Sequence, residues 1–163
     1  MKILKHIFFT VIFACLFLSL SAQKTLPDLS LKTNEGDLVK VQDIGKEGTV
    51  VLSFWATWCV PCIKELDAIS DLYPDWQEET GVELIAVSVD DSRTISRVNS
   101  LVNGKAWEYK ILLDTNQEFK RAMNISSVPY LIIINNGQIV YKHSGYTPGS
   151  EYKLYDEILK LNQ

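Results

Sequence analysis

An α/β domain with a mixed sheet between helices is predicted by three features of the sequence. Residues 50–55 and 82–89 are nearly continuous in apolar and β-branched side chains, as strands buried on both faces are. Segments with apolar residues at helical spacing follow the runs. Near the C-terminus, Asn136-Gly137 joins two short strand-like runs as a hairpin, and an amphipathic segment ends the chain. Strands alternating with helices, then a hairpin and a last helix, specify a layered domain.

Each element follows from local pattern. Residues 28–41 read as an N-terminal hairpin, with short alternating runs on either side of Asn34-Glu35-Gly36. Residues 50–55 form the central strand. Ile63, Leu66, Ile69, Ser70 and Tyr73 then mark one helical face, which Pro74 interrupts and Gly81 ends. Residues 82–89 are the second core strand, 92–103 a helix and 109–113 a short strand. Residues 116–123 form another helix, with Phe119 and Met123 four apart. Residues 130–134 and 138–141 flank the Asn-Gly turn. A helix over 150–161 turns Leu154, Ile158 and Leu161 inward.

The first 22 residues read as a secretory leader. Lys2 and Lys5 supply positive charge, residues 7–20 an apolar core, and Ser19, Ser21 and Ala22 small residues before Gln23. The 14-residue apolar core is shorter than the ~20 residues a spanning helix needs. A single domain is expected over 23–163, with 23–46 as the hairpin extension. Its address is the periplasm or cell envelope, and anchoring by an uncleaved leader is the lesser alternative. Cys15 reads as apolar filler within the leader, not as a lipid attachment site, because Leu16, Phe17 and Leu18 continue the apolar core.

Loss of the leader leaves 141 of 163 residues and moves the net charge from −4 to −6 as Lys2 and Lys5 go. That acidity excludes nucleic acid and anionic membrane surfaces as natural partners. The domain is expected to be a monomer. Three cysteines become two, Cys59 and Cys62. A disulfide between residues three apart closes too short a loop to stabilise much by chain entropy. Chemistry explains the pair better than structure does.

Cys59 stands just before the first helical pattern, where its sulfur can accept from a backbone N–H of the first turn. Pro61 has no N–H, so Cys62 is the expected donor. The helix N-terminus also favours a negative sulfur. Together these lower a thiol pKa from its free value of about 8.5. Cys59 is the expected exposed nucleophile and Cys62 the shielded resolving thiol in thiol–disulfide exchange. Glu65 lies on the same helical face as Cys62 and can take its proton; its alternative is a solvated surface acid.

The run Trp55-Ala56-Thr57-Trp58-Cys59-Val60-Pro61-Cys62, with Pro27-Asp28 and Val128-Pro129, resembles the thioredoxin superfamily. Within it, the exported TlpA/ResA-like thiol–disulfide oxidoreductases are the nearer likeness, over about residues 27–162. The resemblance implies a thioredoxin fold with an N-terminal hairpin and an inserted helix–strand segment near residues 92–114. It implies an acid at Glu65, whereas Ser53 stands where ordinary thioredoxins keep a buried aspartate. It also implies a cis peptide at Val128-Pro129, facing the disulfide. Two positions depart from the pattern: Tyr130 replaces a common threonine, and Asp67 a common proline.

The expected catalytic residues are therefore Cys59, Cys62 and Glu65, and the expected substrate contacts are Trp58, Pro61, Val128 and Pro129. Trp55, at the end of a buried strand, belongs to the core. Trp76 and Trp107 read as packing residues. No cofactor is expected beyond the redox-active Cys59–Cys62 disulfide. The expected partners are protein disulfides and a membrane dithiol that supplies electrons, with cytochrome c haem-site cysteines as one substrate the family analogy implies. Reduction is favoured over oxidation by the resemblance and by the absence of histidine between the cysteines. The alternatives are a thiol oxidase on the same fold, a Cu(I)-binding module using the two thiolates, and a peroxiredoxin-type peroxidase with Thr57. An interaction domain without activity would not need both cysteines.

Overall fold

The structure is a computed structural model describing residues 25–161. The leader predicted over residues 1–22, with Cys15, lies outside the described residues. Among those described, no helix is long and apolar enough to cross a membrane.

Among the described residues, seven strands form one sheet: β1 (Ser30–Thr33), β2 (Leu38–Lys40), β3 (Thr49–Trp55), β4 (Glu83–Ser88), β5 (Lys110–Leu113), β6 (Tyr130–Asn135) and β7 (Gln138–Ser144). Their order across the sheet is β2-β1-β5-β4-β3-β6-β7. Strands β3, β4 and β5 are parallel, while the hairpins β1–β2 and β6–β7 add antiparallel edges. All seven residues of β3 are buried, as its unbroken apolar run requires. The β6–β7 turn places Asn136 and Gly137 at φ 49° and 77°, the left-handed conformation that this pair tolerates.

The helices are α1 (Val60–Ser70), α2 (Tyr73–Thr80), α3 (Ser96–Lys105), α4 (Glu118–Ala122) and α5 (Ser150–Lys160). Pro74 sits in the first turn of α2, where a missing N–H costs nothing, so the expected interruption is a break between α1 and α2. Gly81 ends α2 at φ 68°, its N–H donating to Gln77 O at 2.9 Å. Helix α3 starts four residues later than the pattern suggests. Asp91 accepts from Arg93 N at 2.9 Å, and Thr94 N donates to Asp91 O, so a turn occupies residues 92–95.

Side chains of β3 alternate between two layers. Phe54 meets Phe119 of α4, with ring centroids 5.0 Å apart. Ser53 faces the other way, onto α1. Helix α5 joins that layer, and its Tyr155 stacks on Trp76 of α2. Leu154 and Ile158 of α5 are buried, as expected, and Leu161 is half-buried.

Candidate active site

The parallel register sets the site at the C-terminal ends of β3 and β4. Trp55 pairs with Ser88, so two residues further along each chain Thr57 meets Asp90. The Asp90 carboxylate is fully buried and accepts from Thr57 N at 2.9 Å, Thr57 Oγ1 at 2.6 Å and Ser88 Oγ at 2.8 Å. It thereby fixes the loop that carries the cysteines. The sequence reading missed Asp90. Its only local signal is its place just beyond a buried parallel strand.

Cys59 caps α1, and Cys62 N donates to its Sγ at 3.3 Å. This is the donor that Pro61 leaves available. The two cysteines are joined as a disulfide, with Cα atoms 5.3 Å apart. Their exposures rank as expected but are both small: 5% for Cys59 and 0% for Cys62. Cys59 is thus a largely buried residue, not an open one. The groups that project beside it are Trp58 and Val60, exposed by 57% and 63%.

Glu65 lies one turn beyond Cys62 and is buried, which excludes the solvated-acid alternative. Its Oε2 accepts from Ser53 Oγ at 3.2 Å, while Oε1 has no hydrogen-bond partner among the described residues. Burial pushes this carboxyl up to about 8 from 4.5; the Ser53 hydroxyl opposes that shift and the charge of Glu151 adds to it. A carboxyl poised near neutral pH can accept a thiol proton and give it up again.

The antiparallel pairing of Phe54 with Tyr130 brings residues 128 and 129 to the same end of the sheet. Val128-Pro129 is cis, Pro129 is buried, and its carbonyl accepts from Gly145 N at 2.9 Å. Val128 is half-buried. Its N–H and C=O enter no backbone hydrogen bond among the described residues, leaving them available to an extended segment.

Trp55 is fully buried and meets Trp107 edge-on at 5.2 Å. Trp107 Nε1 donates to Asp67 Oδ1 at 3.0 Å, and Lys105 Nζ pairs with Asp67 Oδ2 at 2.6 Å. Asp67, noted in the sequence only as a departure, thus ties the cysteine-bearing helix to the segment around α3. Among the described residues, no group of three or more His, Cys, Asp or Glu side chains could hold a metal ion. A surface cavity of about 500 Å³, lined by Ile44, Lys46, Glu83 and Lys110, lies at the opposite end of the sheet.

The comparisons with known proteins agree with this geometry. The AhpC/TSA family profile matches residues 22–143. The thiol-disulfide oxidoreductase ResA of Bacillus subtilis is 29% identical over 143 residues, covering 87% of this chain and 78% of that protein. ResA of Oceanobacillus iheyensis is 37% identical over 117 residues, covering 69% and 59%. An uncharacterized thioredoxin-like protein from Porphyromonas gingivalis superposes with TM-score 0.74 at 46% identity, over 84% of this chain and 91% of that one. The family profile spans most of the chain, which belongs to the AhpC/TSA family as a thioredoxin-like thiol–disulfide oxidoreductase.

Proposed function

We propose that the chain is an exported protein-disulfide reductase, cut free of residues 1–22 and folded over 23–163. The observation that carries this is a buried carboxyl, Glu65, one helical turn from a buried resolving thiol, Cys62. The Cys59 thiolate attacks one sulfur of a substrate disulfide. That S–S bond breaks, and the first substrate sulfur leaves with its electron pair. Cys62 S–H then gives its proton to Glu65, and the sulfur left negative attacks Cys59 Sγ. The second substrate sulfur leaves, two electrons have passed to the substrate, and the Cys59–Cys62 disulfide remains. A membrane dithiol outside the compartment's oxidising pool would restore the pair. Trp58, Pro61, Val128 and Pro129 form the substrate contacts, with the Val128 backbone pairing to an extended segment. Cytochrome c haem-site cysteines and misoxidised exported proteins are the two substrate classes this reading offers.

The direction is supported by the Val60-Pro61 pair between the cysteines, which offers no histidine to hold a thiolate. A peroxidase reading is disfavoured because Thr57 Oγ1 is committed to Asp90 at 2.6 Å. Redox equilibration of the mature protein against glutathione or dithiothreitol tests the direction. A potential on the order of −270 to −200 mV is expected, and one near ~−120 mV, that of a strong oxidant, would overturn it. Cys62→Ser should accumulate mixed disulfides with substrates, and Cys59→Ser should abolish insulin reduction.

A further inference from the structure

The two oxygens of the Glu65 carboxyl stand in different surroundings. Oε2 accepts from Ser53 Oγ, and Oε1 has no partner among the described residues. Ser53 is fully buried in the middle of β3, paired with Ala86 of β4 on one side and Leu131 of β6 on the other. Its backbone is therefore held from both sides. A single staggered torsion then places the hydroxyl.

We propose that Ser53 is the positioning residue of this site: its hydroxyl holds Glu65 Oε2, leaving Oε1 as the oxygen that receives the Cys62 proton. This rests on the reading of Glu65 as the base for Cys62 and adds the group that aims and tunes it. The proton passes from Cys62 Sγ to Oε1, and the electron pair stays on sulfur for attack on Cys59. No oxidant is needed beyond the substrate disulfide.

The tuning has a definite sign. A hydroxyl donating to a carboxylate favours its charged form and so opposes burial. Without that donor, Glu65 would be a more permanently protonated acid. Other groups act on it from neighbouring elements. Glu151 of α5 disfavours its ionisation, and Glu151 is itself held by Tyr146 Oη at 3.2 Å and by Gly149 N. The Tyr146 phenol, in the loop before α5, feels the Glu65 charge. Cys62 lies one turn back on α1. Among the described residues, only Ser53 donates a hydrogen bond to Glu65.

The test compares Ser53→Ala with Ser53→Thr, which keeps the hydroxyl. Ser53→Cys is a near-isosteric weak donor and serves if alanine impairs folding. The readouts are the ¹³C NMR titration of the Glu65 carboxyl and the stopped-flow pH profile for resolution of a Cys59 mixed disulfide. Ser53→Ala should raise the carboxyl midpoint by about one pH unit, leaving roughly tenfold fewer carboxylates at pH 7. Greater basicity offsets part of that loss, so resolution should slow about three- to tenfold, and Ser53→Thr should recover it. In a Glu65→Gln background, Ser53→Ala should add nothing. An unchanged carboxyl midpoint in Ser53→Ala, or an effect that survives in the Glu65→Gln background, overturns the positioning role. A native pH profile in Glu65→Gln alone overturns the base reading instead, so the two failures are distinct.

Discussion

Replacing Glu65 by glutamine removes a titrating carboxyl with little change in shape, and its effect on stability follows from linkage. The folded chain holds the Glu65 proton up to about pH 8, because burial disfavours the charge, whereas an unfolded chain releases it near 4.5. Between those values the native state binds the extra proton, so stability must fall as pH rises. The contribution is fully present below about pH 4.5 and is lost once pH passes the folded midpoint. One proton corresponds to about 1.4 kcal/mol per pH unit, which flattens near each midpoint. From pH 5 to pH 7 the native protein should therefore lose roughly 2–3 kcal/mol that Glu65→Gln does not. Asp114, also pushed up by burial, adds a similar trend to both proteins, so their difference isolates Glu65. Urea unfolding of the oxidised proteins, followed by fluorescence of the buried Trp55, Trp76 and Trp107, measures it. Parallel pH profiles for the two proteins would refute the reasoning, since Glu65 would then not change its protonation in this window.

Three further outcomes are expected. Asp90→Ala should cost about 2–3 kcal/mol through the lost hydrogen bonds to Thr57 and Ser88, and should slow the first attack by Cys59; chemical denaturation and insulin reduction measure the two effects. Gly45→Ala and Gly48→Ala both force a side chain into left-handed backbone, costing about 1–2 kcal/mol, but only the Gly45 Cβ would lie 2.7 Å from Ile134 Cγ2. Urea midpoints should rank Gly45→Ala clearly below Gly48→Ala. Trp58→Ala should leave stability within about 0.5 kcal/mol yet raise KM for protein disulfides and not for a small aromatic disulfide, as steady-state kinetics would show.

What the sequence revealed and what it withheld divide along physical lines. Strands β3 and β4 were legible because burial on both faces demands unbroken apolar runs. The β6–β7 turn was legible because few residue pairs accept left-handed backbone. The Cys62 N–H contact to Cys59 was legible because Pro61 leaves the turn one less donor. Contacts between elements were not. Ser53 and Glu65 were each noticed singly, but their hydrogen bond needs the packing of α1 on β3. Asp90 carries no local pattern at all; its role follows from strand register. The start of α3 was placed early because a side-chain turn at Asp91 competes with helix. Cys59 was expected to be open to solvent, since its position in the chain says nothing about what packs around it.

The N-terminal hairpin has a consequence for solubility. Strand β1 pairs with β5, a short strand whose Ile111 and Leu112 are buried. Without β1, β5 would present an unpaired apolar edge, the kind of template on which other chains add as strands. With the hairpin docked, the margin on that side is instead β2, three residues long and ending in Lys40. A shortened chain lacking residues 25–41 should therefore be not only less stable but sticky. Since β5 follows β1 by some eighty residues, a chain made N-terminus first must carry the hairpin undocked until β5 arrives. The hairpin acts as a guard on the sheet edge that takes up its post only late in folding.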